Sequence, residues 1–302
     1  MAKKVLVMMG GFSSEREVSL VSGKGCAEAL SNAGYEVIAY DLKDVEDFVA
    51  VLLKEKPDVV FNALHGTFGE DGTVQGFLDM MQIPYTHSGL QASCVGMNKV
   101  LTKELCEKYG INVAKHQVVS AKKLCEMAMN MDFPFVAKPI SEGSSVGVFV
   151  VKNKKDAAKI KYDNNDMKIM VEPFIDGQEL TVMVLKNKAY VVTELRPKVD
   201  FYDYKAKYTS GITEHIIPAN VSDDVAKTCM EYAVKAHKAL GCNTVSRSDF
   251  RYNPKDGVVF LEINTHPGMT PLSLVPEQAK YVGISYEKLC STLVENASCK
   301  KV

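Results

Sequence analysis

The sequence has no excess of positive charge: Lys and Arg total 36 against 37 Asp and Glu, a formal net charge of −1. General nucleic-acid binding and adsorption to anionic membranes both draw on a basic excess, so neither is expected and small-molecule partners are favoured. No stretch approaches the roughly 20 continuous apolar residues that span a bilayer. The N-terminal run from Met1 to Gly10 has two lysines and a short apolar segment. That segment is too short for a signal peptide and enters a Gly-rich turn instead of a small-residue cleavage site, so it is expected to be a first buried strand. The eight cysteines include no CxxC pair and no His partner at zinc spacing, and they read as reduced, mostly buried thiols of a cytosolic protein. Neither GxGxxG nor GxxxxGK[ST] occurs, which removes the dinucleotide fingerprint and the P-loop. There is no internal repeat and no low-complexity tract.

What remains is an ordinary globular composition over 302 residues, 46% hydrophobic and 24% charged, enough for two or three domains. The first third alternates strand and helix. Val5–Met8 is an apolar run, and Ser14-Glu15-Arg16-Glu17 has capping-box spacing. The helix it predicts carries Val18, Val21, Ala29 and Leu30 and stops before Gly34. Strands are expected at Tyr35–Tyr40 and Asp58–Ala63, giving a parallel sheet covered on both faces. Such sheets bind ligands at the carboxyl ends of their strands, where Gly10–Ser14 and His65–Gly72 fall. The middle opens near Met97 with a helix ending at Gly110, then short strands around the loops Ser141–Gly147 and Pro173–Gly177. The last third has strands at Leu180–Leu185 and Ala189–Leu195 and a polar, Tyr- and Lys-rich stretch from Arg196 to Ala219. A long helix capped by Ser222 follows and ends before Gly241, then come a hairpin, a loop rich in Pro and Gly, and a terminal helix from about Ser285. The domain boundaries read as 1–96, 97–178 and 179–302.

The strongest local signal is the pair Arg247-Ser248-Asp249 and Glu262-Ile263-Asn264, each in a strand-like run, with the turn composition Asn253–Gly257 between them. Paired as a hairpin, Asp249 faces Glu262 and Arg247 faces Asn264, and a period of two sets all four on one face. Opposed carboxylates with β-carbons ~5 Å apart repel unless a cation lies between them. Asp, Glu and an Asn carbonyl form an oxygen-only set suited to Mg²⁺ held beside phosphate. The alternative is a solvated face, or an Arg247 salt bridge absorbing both acids. Lys138, in the apolar run Val136–Pro139, needs a partner if buried. The following Ser141–Gly147 offers backbone N–H groups and hydroxyls for a phosphate, although a plain hairpin turn accounts for it equally well. Val171–Ile175 suits an adenine site, with backbone for the base edge and a carboxylate for ribose hydroxyls. Tyr202–Tyr208 is too polar for a core strand and fits a lid over a charged substrate; an exposed loop with incidental tyrosines is the plainer reading.

In order along the chain, these pieces resemble the D-alanine–D-alanine ligases of the ATP-grasp superfamily. The resemblance covers essentially the whole sequence and rests on five motifs. They are Gly10-Gly11-x-Ser13-x-Glu15-Arg16-Glu17-Val18-Ser19, His65-Gly66-Thr67-x-Gly69-Glu70-Asp71-Gly72, Lys138-Pro139 with Glu142–Gly147, Phe201–Tyr208, and Glu262-Ile263-Asn264-Thr265-x-Pro267-Gly268-Met269-Thr270. It implies an N-terminal α/β domain followed by a two-domain ATP-grasp fold that clamps ATP. It also implies a carboxylate–amine ligase of peptidoglycan precursor synthesis that forms an acyl phosphate, in a bacterial cytoplasm, as a homodimer.

By motif, the resemblance places Lys99, Lys138 and Ser145 on the nucleotide phosphates, Glu172 and the Phe174–Ile175 backbone on adenine, and Glu179 on ribose. Asp249, Glu262 and Asn264 hold two Mg²⁺ or Mn²⁺ ions. Glu15 takes the first D-alanine's ammonium, with Val18 and His65 in the same subsite, and its fixed position is credited to the capping box. Arg247 and the Gly268 N–H face the oxyanion, while Ser273 and the Leu274 N–H bind the second carboxylate. Ser144, Tyr208 and Glu15 link the closed lid, and Lys207 reaches the transferred phosphoryl group. A D-alanine–D-lactate ligase or another D-amino-acid ligase is the nearest alternative, and the Tyr-Lys-Ala-Lys-Tyr lid favours the dipeptide type.

Overall fold

A computed structural model describes residues 2–127, 129–143, 146–197 and 213–300. The expectations for Ser144, Ser145, Lys207, Tyr208 and the Phe201–Tyr208 stretch lie outside these residues.

The apolar run at the N-terminus forms β1 (Lys4–Gly10), completely buried from Val5 to Met8. It is the middle strand of a parallel sheet between β2 (Glu36–Leu42) and β3 (Val59–Asn62). Alternate side chains of β1 feed two cores. Val5, Val7 and Met9 meet Cys26 and Leu30 of α1 (Arg16–Asn32). Leu6 and Met8 meet Phe48 and Leu52 of α2 (Val45–Glu55) and Leu78 of α3 (Thr73–Met80). The sheet is therefore covered on both faces, as continuous apolar strands require.

Helices α4 (Leu90–Met97) and α5 (Lys99–Lys108) lead into the middle of the chain. The side chain of Asn98 caps α5 by accepting from the N–H groups of Val100 and Leu101, which fixes where its first-turn lysine points. An antiparallel sheet follows in the order β4 (Gln117–Ser120), β7 (Lys168–Pro173), β5 (Phe135–Pro139), β6 (Phe149–Val151). The short helices α6 (Ala121–Cys125) and α7 (Lys154–Ala157) enclose a small core of its own around Leu124, Phe135, Val151 and Ile169. The last sheet runs β11 (Thr213–Ile216), β10 (Thr193–Pro197), β8 (Gln178–Leu185), β12 (Val245–Asn253), β13 (Gly257–Asn264), with β9 (Lys188–Ala189) also on β8. One face packs on α8 (Asp223–Leu240), capped by Ser222 and closed by Gly241 at φ +71°. Met183, Leu185 and Val245 enter the core under the parallel sheet, together with α9 (Leu274–Tyr281) and α10 (Tyr286–Glu295).

Four expectations are corrected. Ser14 does not cap α1: the N-cap is Glu15, without a side-chain cap bond. Ser13 donates instead to the His65 carbonyl at 2.6 Å and accepts from the Glu15 N–H, so a tertiary tether replaces the local capping box. Val21 is 52% exposed rather than inward-facing. The single strand expected over Ala189–Leu195 is two. Continuing from Val184↔Ala189 would set Thr193 opposite Leu180, but it lies opposite Thr181, so the ladder breaks between β9 and β10. Finally, α9 stands where only a loop was expected. Its Pro276 lies in the first helical turn, where a missing N–H costs nothing.

Candidate active site

Two cavities adjoin. One lies between the loops after β1 and β3, the end of β13 and the start of α9; Glu15, His65, Arg247, Asn264, Gly268, Ser273 and Leu274 line it. The other lies between the middle sheet and the last sheet and is lined by Lys138, Glu172, Phe174, Ile175 and Glu179. Lys99, Glu142, Gly143, Asp249, Leu261 and Glu262 line both. A ligand in each cavity would therefore meet its neighbour over the β12–β13 hairpin and the tip of α5.

The hairpin has the expected pairs, Arg247↔Asn264 and Asp249↔Glu262. A β-bulge makes them possible. Continuing from Phe250↔Phe260 would put Asp249 opposite Leu261, but the irregularity after Asp249 leaves Leu261 as the extra residue and re-aims the acidic pair. Arg247 grips Asp249 through two bonds, Nε–Oδ1 at 3.0 Å and a terminal nitrogen to Oδ2 at 2.8 Å, and Thr181 donates to Oδ1 at 2.6 Å. Part of the salt-bridge alternative is thus realised, with Asp249 held by Arg247. Asn264 Oδ1 accepts from the His266 N–H at 2.8 Å. Among the described residues no group of three His, Cys, Asp or Glu is arranged to hold a metal. The convergent set is two carboxylates and an amide oxygen. Asp249 Oδ1 already accepts two bonds, but Asp249 Oδ2 and Asn264 Oδ1 accept one each and keep a second lone pair, so this set fits a hard cation bound partly by phosphate.

In the first cavity the two Gly-rich loops are stitched together. Ser19 accepts from the Gly10 N–H and donates to the Ala63 carbonyl, and Ser13 ties to His65 as above. Glu15 is 7% exposed. Its carboxylate lies so close over Gly66 that a Cβ there would stand 2.8 Å from Oε2, and Gly66 also has φ +69°, so only glycine serves. His65 is held between Ser22 at 3.0 Å and Glu70 at 3.2 Å. Behind it the rings of His266 and His87 lie with centroids 3.9 Å apart, tilted by 41°. Burial holds His87 down to about 3 and His266 well below the usual imidazole range, so both are neutral. Gly268 separates His65 from Ser273, and Ser273 is the N-cap of α9, with Thr270 donating to its hydroxyl at 2.9 Å. Val18 is buried in α1 and lines neither cavity, which places it behind the site.

In the second cavity Lys138 Nζ is 2.7 Å from Glu172 Oε1, and Lys103 donates to Oε2 of the same carboxylate. Burial opposes ionisation of Glu172, but the two ammonium groups hold it down to about 2. Burial likewise opposes charge on Lys138, yet Glu172 and Glu262 raise it above the ordinary lysine range. Glu179 accepts from Arg251 at 2.7 Å, and Lys99 donates to the Glu142 carbonyl.

The chain matches the D-ala D-ala ligase N-terminus over residues 43–88 and the D-ala D-ala ligase C-terminus over residues 91–295. It is 50% identical to a D-alanine–D-alanine ligase of Rhodospirillum rubrum, covering 99% of each chain. It is 49% identical to one of Zymomonas mobilis, covering 98% of this chain and 94% of that one. The chain belongs to the D-alanine–D-alanine ligase family. Among solved structures it resembles the Bacillus anthracis ligase at a TM-score of 0.83 and 30% identity, covering 98% of this chain and 97% of that one. The ATP complex of that enzyme superposes at 0.82 with 29% identity and the same coverage. Family membership accounts for the parallel sheet followed by two antiparallel sheets.

Sequence reasoning missed Lys103, Glu70 and Thr181. Glu70 was within reach, because it sits five residues from His65 in one motif. Lys103 and Thr181 gave no local signal: their partners are Glu172 and Asp249, on other strands.

Proposed function

We propose that the chain condenses two D-alanine molecules into D-alanyl-D-alanine at the expense of ATP. The observation carrying this is the pair of cavities that share Lys99, Asp249 and Glu262. An acyl phosphate forms only where a carboxylate and a γ-phosphate reach each other.

ATP lies in the second cavity, with adenine at the Phe174–Ile175 backbone and Glu172, ribose at Glu179, and phosphates at Lys99 and Lys138. Asp249, Glu262 and Asn264 would hold two Mg²⁺ ions, which would neutralise phosphate charge. Glu15 fixes the first D-alanine by its ammonium, beside His65. Its carboxylate oxygen attacks the γ-phosphorus in line, and the bond to the β-phosphate oxygen breaks to release ADP. The second D-alanine binds by its carboxylate at Ser273 and the Leu274 N–H, where α9 presents unpaired donors. Its amine, after losing a proton, attacks the acyl carbon. Arg247 and the Gly268 N–H stabilise the resulting oxyanion, and collapse expels phosphate. Positioning and charge neutralisation supply most of the acceleration in such transfers.

The division at residues 96 and 178 assigns the first D-alanine to the parallel-sheet part, the nucleotide to the two later sheets, and the second D-alanine to the segment after β13. No helix among the described residues is long and apolar enough to cross a membrane. The reading further assigns the enzyme to peptidoglycan precursor synthesis in a bacterial cytoplasm, as a homodimer. The test is ADP release driven by D-alanine, with the product identified by mass. One D-alanyl-D-alanine per ADP is expected. Equal or greater ester formation when D-lactate is added at neutral pH would overturn the dipeptide assignment.

A further inference from the structure

Lys103 is the residue near the nucleotide cavity for which the phosphate-cradle reading has no use. Its side chain is 0% exposed, and it is among the largest fully enclosed side chains in the molecule. It lines neither cavity, so it touches no ligand there. Both oxygens of one carboxylate, Glu172, are taken by ammonium groups, Oε2 by Lys103 and Oε1 by Lys138 at 2.7 Å. A buried carboxylate needs one cation to balance it; the second ammonium is left with Glu262, the other carboxylate acting on Lys138.

The three residues differ in their freedom to move. Lys138 on β5 and Glu172 on β7 belong to neighbouring strands, and both line the nucleotide cavity. Lys103 comes from the opposite side, on α5. It lies one helical turn beyond Lys99, and on a helix those positions share a face. Lys99 is at the cavities and Lys103 behind it. The same helix packs through Cys106 into the core of the last sheet. Lys103 is therefore anchored, and Lys138 is the cation able to turn toward a ligand.

We propose that Lys103 is a positioning residue for ATP: it serves as the permanent counter-ion of Glu172 and so releases Lys138 to the phosphates. This rests on the assignment of Lys138 to the phosphates. Without Lys103, moving Lys138 onto a phosphate would strand a carboxylate that is 2% exposed, and a stranded buried charge is strongly unfavourable. Lys138 would stay on Glu172 and the phosphates would lose a cation.

The prediction concerns the phosphates alone, so the quantity to measure is the ratio of ATP affinity to adenosine affinity, by titration of the full-length protein. Damage to the adenine pocket or to folding lowers both affinities and leaves the ratio unchanged. Lys103→Met is expected to lower the ratio on the order of tenfold, which is about 1.4 kcal/mol. Adding Glu172→Gln to it removes the charge that retains Lys138 and returns the ratio to within about threefold of the wild type. Equal losses of ATP and adenosine affinity in Lys103→Met overturn the proposal, as does failure of the double variant to restore the ratio. Should Lys103→Met not fold, Glu172→Gln alone serves: an unchanged or increased ratio supports the proposal, and a decreased one contradicts it. Lys138→Met, measured alongside, must lower the ratio. If it does not, the phosphate assignment itself fails, whereas a fall there with an unchanged ratio in Lys103→Met refutes the role of Lys103 alone.

Discussion

The two cavities handle charge in opposite ways. The nucleotide side is built on the faces of two antiparallel sheets and is pre-loaded with full charges in pairs, Glu172 with Lys103 and Lys138, and Glu179 with Arg251. The amino-acid side is built from loops at the ends of parallel strands, the end of β13 and the start of α9. It is backed by His87 and His266, which burial keeps neutral, with Glu15 as its buried carboxylate. A polyanion whose position varies with reaction stage suits paired side chains that can exchange partners. A small zwitterion suits a fixed carboxylate and backbone donors that cannot move. The hairpin of Asp249 and Glu262 belongs to both sides, together with Lys99 and Glu142–Gly143.

If that division holds, the largest effect comes from the shared element. Glu262→Gln should cut turnover by more than about 100-fold and leave the thermal unfolding transition of the chain in place; near-normal turnover would break the assignment of this carboxylate to the metal. On the amino-acid side, Arg247→Met should lower kcat by roughly 100-fold, as loss of an oxyanion donor does, with the affinity for ATP little changed. A loss confined to ATP affinity would move Arg247 to the other cavity. Ser273→Ala should be milder, raising the KM of the second D-alanine by about tenfold through one lost bond to a charged group. Steady-state kinetics at saturating ATP would reveal whether it acts on the first binding event instead.

The smallest effect is on stability and tests the neutral histidines. His87 lies at about 3 when folded and His237 at about 4, against 6.5 as free imidazole. Below pH 6.5 the unfolded chain takes up protons that the folded one refuses, so stability is full above 6.5 and declines as pH falls toward 4 and 3. These two groups alone should remove roughly 2–3 kcal/mol between pH 7.5 and 5.5, His266 adds to the loss in the same direction, and His87→Phe should abolish about a third of the total slope. Glu172, held at about 2, acts in a separate window: its contribution is present above 4.5 and lost as pH falls toward 2. Urea unfolding at several pH values distinguishes the two. A flat profile from pH 7.5 to 5.5 would contradict the buried neutral state.

The same contrast governs what the sequence could reveal. The amino-acid side is legible because its parts are contiguous: Glu15 in a Gly-rich loop, His65 with Glu70, and Gly268 before Ser273. The α/β character of the first third follows from Val5–Met8 and its helix, which local apolar pattern dictates. The acidic hairpin was legible as a pairing but not as a bulge, since Leu261 has nothing local to mark it as the extra residue. Ser14 failed as a cap because Ser13 is tethered to His65, 52 positions away, and α9 was hidden by the proline in its first turn. The nucleotide side is the less legible one. Lys103 looks like any lysine of an amphipathic helix, and only the tertiary placement of α5, packed on the last sheet, brings it to Glu172.

In the proposed reaction a carboxylate held on one side reaches the γ-phosphate held on the other, over Asp249 and Glu262. Turnover of D-alanine labelled with ¹⁸O in its carboxylate tests this directly. Attack on the γ-phosphate leaves one carboxylate oxygen bridging the acyl phosphate, and peptide formation carries it away on the released phosphate. One ¹⁸O atom per phosphate formed is expected; phosphate free of label while dipeptide accumulates would rule out attack by the carboxylate.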